Sequence, residues 1–344
     1  MRYNPAMMEF SLYRTLPDHL EGEWNALLPE CVTHVPFMRY EYIHTWWQTR
    51  GGGEWPKAEL VFIAAHRNGK LIGGAPLFIN ENQNGQPALF LIGSIEISDY
   101  LDLVVRPHDQ NEFCLSLLKY LDGPEVPPWK SLDFYNILES SPTLQSLEAA
   151  AKALGWSYEH ERLQHCPSIQ LPGDWQVYLA GIDKKQRHEI RRKMRRLEES
   201  GLDNRWYFVE DEAALDSEIE SFLGLMEQVQ EKANFLTPAM REHMRLTIRC
   251  AYKAGCLKLA FLEINGDKAA TKLCFDYLYR LWGYNSGFSK RYLDLSPGWV
   301  LTAYLIQWAN EQKRTEFDFM RGDEEYKYRF GGVDRFIVRA VIHR

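Results

Sequence analysis

The sequence predicts an α+β fold, an α/β sandwich made of two tandem units in which a mixed, mostly antiparallel sheet is flanked by helices. Three observations lead to this prediction. An order of hairpin, helix and strand signals occurs twice along the chain. The length of 344 residues exceeds what one compact core usually holds. A Pro172-Gly173 interruption separates the two copies of the order.

Each copy begins with an Asn-Gly pair between two apolar runs, which predicts a β-hairpin because both turn residues need positive φ. The pairs are Asn68-Gly69 and Asn265-Gly266. A Tyr-Leu-Asp-Leu tetrapeptide follows in each copy, and after it come a helical pattern and a short strand. The helices are predicted over 109–121 and 297–312, and the strands over 131–134 and 316–319. The repeated order predicts a duplicated α+β unit.

The Pro-Gly interruption sets the predicted domain boundary. It divides the chain into a first unit of residues 1–170 and a second unit of residues 171–344. The last strand, predicted over 335–342, then belongs to the second unit by its position in the sequence.

Composition limits the class of protein. The net charge of −7 argues against a surface made for nucleic acid, and DNA is not an expected partner. The six cysteines are scattered and the histidines lack metal-ligand spacing, so neither disulfides nor a metal site is expected. No apolar run has the length of a signal peptide or a membrane span. We therefore expect a reduced, cytoplasmic protein.

The start of the predicted helix 297–312 has the residues of an anion site. Ser296 is a capping residue, Pro297 suits the first helical position, and Gly298 lets a ligand approach the backbone. The first N–H groups of a helix have no internal partner and lie at the positive end of its dipole, so they suit phosphate. An ordinary Ser-Pro-Gly helix start is the alternative interpretation.

The most basic stretch of the chain is residues 184–197, which contain eight Lys or Arg residues. Ile190, Met194 and Leu197 recur at helical spacing, so the predicted helix packs by that edge and exposes a basic face. The face is either a solvated surface or a binding surface for the phosphates of an acceptor, with Arg191 and Arg195 as the expected contacts.

Several motifs together resemble a known family. They are Trp46-Trp47 and residues 74–77, 98–102, 187–201, 284–288, 296–298 and 318–332. This set resembles the GNAT-type acetyltransferases associated with cellulose and exopolysaccharide biosynthesis (CelD-like). The tandem arrangement is also similar to the Fem-type transferases, which carry two GNAT-like units and move amino acids from aminoacyl-tRNA.

The resemblance implies an acyl-CoA donor, most simply acetyl-CoA, and an amine or hydroxyl acceptor on a saccharide or cell-envelope precursor. It implies that the strands 270–279 and 316–319 separate to hold the pantetheine arm. The pyrophosphate would meet the helix start at Ser296, Pro297, Gly298 and Trp299. The family's phosphate loop has two spaced glycines where this chain has one, so Arg291 is expected to add positive charge. The first unit, which lacks a glycine at 106–110, is expected to be a degenerate copy.

Acyl transfer needs a base for the acceptor and an acid for the leaving thiolate. The candidates are Asp318 and Asp276 on the predicted strands, Tyr304 on the helix, and Asp323 in the tail. A structural hydrogen-bonding role for either strand aspartate and a packing role for Tyr304 are the alternatives. Arg321, Tyr326 and Lys327 of the tail are the expected substrate-binding residues, or else part of a solvated turn.

Two other functions stay open at this level. A Fem-like enzyme would take its acyl group from aminoacyl-tRNA, and the basic helix would then be the contact for tRNA. A non-catalytic module in polysaccharide assembly would use the same helix to bind a polyanion.

Overall fold

The computed structural model describes residues 8–344, which form two compact units. The first unit runs to Gln164 and includes the C-terminal residues Phe336–Arg344, and the second is His165–Arg335. The observed division therefore differs from the expected 1–170 and 171–344. A sequence pattern identifies residues 335–342 as a strand, but it does not show which sheet the strand joins.

The described residues contain the following strands. They are β1 Glu9–Tyr13, β2 Glu59–Arg67, β3 Lys70–Glu81, β4 Pro87–Leu91, β5 Val104–Val105, β6 Ser131–Leu138, β7 Ser157–His165, β8 Ser168–Gln170, β9 Asn204–Phe208, β10 Leu257–Ile264, β11 Asp267–Tyr277, β12 Arg280–Phe288, β13 Glu316–Asp318 and β14 Phe336–His343.

Helices separate these strands. They are α1 Glu21–Leu27, α2 Tyr40–Thr49, α3 Gln110–Leu121, α4 Pro142–Ala153, α5 Trp175–Gly181, α6 Lys184–Glu198, α7 Glu212–Met226, α8 Gln230–Phe235, α9 Pro238–Lys253, α10 Pro297–Glu311 and α11 Glu325–Arg329. None of the helices in the described part of the chain has the length and apolar character needed to cross a membrane.

The sheet of the first unit has the order β1-β2-β3-β4-β6-β14-β7, with β5 also paired to β3. The strands β1 to β4 are antiparallel neighbours, whereas β4 and β6 run parallel. The C-terminal β14 is antiparallel to β6 and completes this sheet. Trp24 and Trp46 are fully buried among its packed helices and strands.

The sheet of the second unit has the order β8-β13-β12-β11-β10-β9. Only the β12–β13 pair is parallel; the other neighbours are antiparallel. Alternate residues of β10 and β11, including Ala260, Ala270 and Cys274, pack with α5, α6 and α10. The opposite face meets α7, since a Cβ added to Gly287 would collide with the backbone of Leu225 and Met226.

The repeated order of signals is present in both units, and the α+β class with two mixed sheets flanked by helices is confirmed. Asn68 and Gly69 have φ of 54° and 73°, and Asn265 and Gly266 have φ of 52° and 80°. Both pairs therefore make the hairpin turns that their side chains predict. The second hairpin continues into β12, a third strand that the sequence analysis did not assign.

Candidate active site

The strand β12 diverges from its neighbour β13 partway along the length of β12. The two strands pair only from Arg280–Glu316 to Trp282–Asp318, whereas β12 continues to Phe288 beside β11. The register between β11 and β12 shifts so that Cys274 faces Gly283 and Leu273 faces Asn285, which leaves Tyr284 as a β-bulge. The sequence analysis expected strand 270–279 to diverge from 316–319; the diverging strand is instead β12.

A cavity of about 280 Å³ lies against the free edge of β12. It extends from the end of β12 at Ser286–Phe288 to the first turn of α10, and Tyr326 of α11 forms part of its wall. Its lining residues are Thr271, Lys272, Ser286, Gly287, Phe288, Leu293, Ser296, Pro297, Gly298, Trp299, Leu301, Thr302 and Tyr326. Because a strand edge without a partner exposes N–H and C=O groups, the cavity offers main-chain hydrogen bonds to a ligand.

The start of α10 forms one end of this cavity. Ser296 has a left-handed backbone with φ of 53° and its side chain makes no cap, so the expectation that Ser296 caps the helix is wrong. The first N–H groups consequently have no side-chain partner at this end. An added Cβ on Gly298 would make an ordinary 3.6 Å contact with Cδ1 of Phe288, so the absence of a side chain there leaves space beside the backbone.

Trp299 adds an unpaired donor to the same end. Its Nε1 is buried and has no hydrogen-bond partner within residues 8–344. The ring packs on Phe330 with centroids 4.6 Å apart, and the Lys193 ammonium lies 4.1 Å from its centroid. A ligand with an acceptor group at this position would satisfy the indole N–H.

Residues 184–328, from the start of α6 into α11, match the family model of the acetyltransferase (GNAT) domain. This segment is a GNAT acetyltransferase domain. The match confirms the expectation of a GNAT-type acyltransferase. No curated protein sequence matches the chain.

Solved structures show the same fold over almost the whole chain. FemX has a TM-score of 0.66 at 12% identity, and 96% of each chain is covered. A conserved protein of unknown function from Bacteroides thetaiotaomicron VPI-5482 has a TM-score of 0.60 at 10% identity, covering 98% of this chain and 100% of that one. The C-terminal domain of a putative lysylphosphatidylglycerol synthetase from Agrobacterium fabrum has a TM-score of 0.55 at 11% identity, covering 93% and 92%.

The aspartates expected to act as bases in the GNAT domain are held in ion pairs. Asp318 is fully buried; it accepts from the Met320 N–H at 2.7 Å and from Arg335 at 2.5 Å. Asp276 accepts two hydrogen bonds from Arg314, at 2.7 and 2.6 Å. Neither aspartate lines the cavity. The geometry therefore gives both side chains structural partners.

Tyr304, Arg291 and Asp323 also lie away from the cavity lining. The ring of Tyr304 stacks on Trp206 with centroids 5.9 Å apart, and burial, with nearby Glu198, raises its pKa. The Arg291 guanidinium pairs with Asp267 at 2.5 Å and does not supply charge to the cavity wall. Asp323 is exposed.

The tail residues form a turn around Lys327. This side chain is 2% exposed, and its ammonium donates to the carbonyls of Met320, Arg321 and Gly322 at 3.2, 2.7 and 3.1 Å. It also pairs with Glu324 at 2.8 Å. Lys327 therefore holds the turn, Arg321 contributes its carbonyl, and of the predicted tail residues only Tyr326 lines the cavity.

Two charged residues that interact with Lys327 and the cavity-lining Lys272, namely Lys232 and Glu324, were not predicted as site residues. Lys232 of α8 donates to Asn285 Oδ1 at 3.0 Å and to the Ser286 carbonyl. Burial, followed by the charges of Lys272 and Lys327, lowers the pKa of Lys232 to about 8 although Glu324 acts in the opposite direction. Burial raises the pKa of Glu324, but Lys327, a main-chain hydrogen bond and the charge of Lys272 together outweigh burial and keep the pKa below its ordinary value. Lys232 lies in no motif, and Glu324 lies in the tail motif 318–332 but was not chosen from it.

The basic helix α6 packs as its sequence predicts. Ile190 and Leu197 are fully buried, and Met194 packs against the same cluster. Asp183 caps the helix by accepting from the N–H groups of Lys185 and Gln186. Arg191 donates to Gln176 at 2.9 Å, whereas Arg195 lines a surface groove with Arg192, Arg196 and Leu295.

Proposed function

We propose that the chain transfers an acetyl or other acyl group from acyl-CoA to an amine or hydroxyl of a saccharide or cell-envelope precursor. The observation that carries the proposal is the separation of β12 from β13 beside a cavity that ends at the first turn of α10. A bulged strand edge offers hydrogen bonds to an amide-containing arm, and the helix start suits phosphate.

The site residues follow from this placement. Ser296, Pro297, Gly298 and Trp299 line the end of the cavity that would take the pyrophosphate. The unpaired Trp299 indole N–H supports a polar ligand there. In this proposal Arg291 has no direct contact with the donor, because its guanidinium is ion-paired with Asp267.

We propose Glu324 as the proton acceptor in place of Asp318, Asp276 and Asp323, because its charge acts on Lys232 and on the cavity-lining Lys272. Glu324 stays ionised because the charge and hydrogen bond of Lys327, a main-chain hydrogen bond and the charge of Lys272 together lower its pKa more than burial raises it. Its charge acts on Lys232, which bonds to the free part of β12. Tyr326, which lines the cavity, replaces Tyr304 as the proposed phenol near the leaving thiolate.

We read the first unit as a degenerate copy. Asp109 lies at the start of α3, and its carboxylate pairs with Arg67 at 2.7 Å. A carboxylate at this helix start opposes the binding of an anion. The donor site is therefore assigned to the second unit alone.

Isothermal titration calorimetry with a panel of acyl-CoA thioesters tests the donor assignment. Saturable binding of at least one thioester at a 1:1 ratio supports it. Binding to aminoacyl-tRNA together with no heat from any thioester would replace it with the Fem-like alternative.

A Fem-like transferase is the second candidate, favoured by the shared fold with FemX over 96% of the chain and by the basic face of α6. Lys193 of this helix contacts Trp299 at the cavity end, so a large anionic donor could reach from the helix to the cavity. A polyanion-binding module would use the same face without the cavity. Assignment to exopolysaccharide biosynthesis rests on the motifs of the sequence.

A further inference from the structure

One lysine inside the cavity has no counterion. Lys272 of β11 is 4% exposed and lines the cavity. Its strand neighbours on the same face, Ala270 and Cys274, belong to the apolar cluster with α5, α6 and α10. Within residues 8–344 the structure gives the Lys272 ammonium no hydrogen bond and no ion pair; it lies 5.6 Å from the centroid of the Tyr326 ring.

The position of this ammonium along the cavity is defined by Gly283. A Cβ on Gly283 would lie 3.0 Å from Cε of Lys272, so the lysine stem crosses β12 at this glycine. Gly283 is the first residue after β12 has lost its pairing with β13, and it adjoins the bulge at Tyr284. Lys272 is therefore at the end of the cavity opposite to the α10 start, where the acyl group of a bound thioester would lie.

The surroundings of Lys272 carry an excess of positive charge. Lys232 and Lys327 are close enough for their charges to interact, and Glu324 is the carboxylate in the same group. Lys327 is already paired with Glu324. The charge of Glu324 also acts on Lys272, but Lys272 itself has no direct ion pair. A buried charge without a direct partner is costly, and an anion that binds beside it lowers this cost.

We propose that Lys272 binds a carboxylate carried by the transferred acyl group, so that the donor is the CoA thioester of a dicarboxylic acid, such as succinyl- or malonyl-CoA. This inference rests on the proposed use of an acyl-CoA donor. The carboxylate of such an acyl group is charged throughout the reaction, so it compensates the charge of Lys272 already in the bound ground state. The oxyanion of acyl transfer exists only transiently and does not.

Calorimetry of the full chain with succinyl-CoA and acetyl-CoA tests the proposal. We expect the wild type to bind succinyl-CoA at least tenfold more tightly than acetyl-CoA. Lys272→Met should remove this preference, and Lys258→Met, on the neighbouring strand and outside the cavity, should retain it. Lys272→Gln should also lose the preference for succinyl-CoA. If one of the two variants fails to fold, the other still tests the proposal.

Thermal unfolding gives an independent readout. Because Lys272→Met removes an unpaired buried charge, we expect its melting temperature to equal or exceed that of the wild type. A lower melting temperature in both Lys272 variants would show a structural role instead.

Two results overturn the inference while leaving the proposed function intact. One is equal affinity of the wild type for both thioesters, which would also be found if the carboxylate belonged to the acceptor. The other is a preference for succinyl-CoA that persists in both Lys272 variants. Failure to bind either thioester would instead overturn the proposed acyl-CoA function, and this inference with it.

Discussion

Arg335 donates a hydrogen bond to the carboxylate of Asp318 at 2.5 Å and forms an ion pair with the carboxylate of Glu316 at 2.8 Å. Both carboxylates belong to β13, the short strand from which β12 departs. The guanidinium therefore fixes the strand that forms one side of the divergence, and the Asp318 carboxylate has a structural partner.

Asp318→Asn should destabilise the protein without weakening donor binding. The change leaves Arg335 without one of its two carboxylate partners and removes a buried charge, at a cost of about 3 kcal/mol. Urea unfolding measures the loss, and calorimetry with acyl-CoA measures binding. Asp276→Asn, which breaks the less buried Arg314 pair, should cost less. Unchanged stability with a large fall in kcat would instead make Asp318 catalytic.

Gly298→Glu should weaken acyl-CoA binding by tenfold or more, about 1.4 kcal/mol. A carboxylate placed at the first turn of α10 would repel phosphate and fill the space beside Phe288. Gly298→Ala is the matched control and should bind nearly as well as the wild type, since its Cβ meets only an ordinary contact. Equal affinity for all three proteins would remove the α10 start from the donor site.

Glu324→Gln should lower kcat by about tenfold to a hundredfold while the Kd for acyl-CoA changes little. The substitution keeps the shape of the side chain but removes the ionised proton acceptor. Steady-state kinetics with an accepted amine or hydroxyl compound supplies kcat, and calorimetry supplies Kd. Asp323→Asn, a neutralisation of the adjacent exposed residue, is the control. A similar kcat in wild type and Glu324→Gln would exclude this role.

Lys232 should make stability depend on pH in the alkaline range. Its pKa is lowered from 10.5 to about 8 in the folded chain, so the unfolded state binds more protons between these values. The free energy of unfolding contributed by this group therefore rises as the pH increases from about 8 to about 10.5. Urea unfolding across this range should show a smaller rise for Lys232→Met than for wild type. An identical rise in both proteins would contradict the lowered pKa.

The basic face of α6 can be tested by its salt dependence. If tRNA or another polyanion binds there, Arg195→Gln combined with Arg196→Gln should weaken binding and reduce the salt slope by about 2. Filter binding at several salt concentrations measures the slope. The matched double change on α9, Arg245→Gln with Arg249→Gln, should leave it unchanged because these arginines pair with carboxylates of α7.

The sequence predicted those parts of the fold where the residue types strongly favour one local backbone conformation or one spacing. Asn265-Gly266 has the residues that a two-residue hairpin turn needs, and Ile190 with Leu197 has helical spacing. The turn between β11 and β12 has no such signal, because Leu278 and Tyr279 adopt φ of 49° and 61° that neither side chain favours. The strand β12, and with it the true position of the divergence, was missed for this reason.

The site was predicted in part. The segment Ser296–Trp299 lies at the cavity as expected, and so does Tyr326. Asp318 and Asp276 are on strands as expected, but their arginine partners come from distant positions, Arg335 and Arg314, that a sequence pattern does not connect to them. Lys272 was not predicted as a site residue because a single lysine in an apolar strand is typical of an exposed position at a sheet edge. Its burial is known only from the structure.

The strand β14 lies between β6 and β7, although more than 160 residues of chain separate it from either. During synthesis on the ribosome, the sheet of the first unit cannot be completed until β14 has emerged and can pair between β6 and β7. Until then β6 and β7 present unpaired edges, so folding of the first unit depends on a segment that is made after the whole second unit.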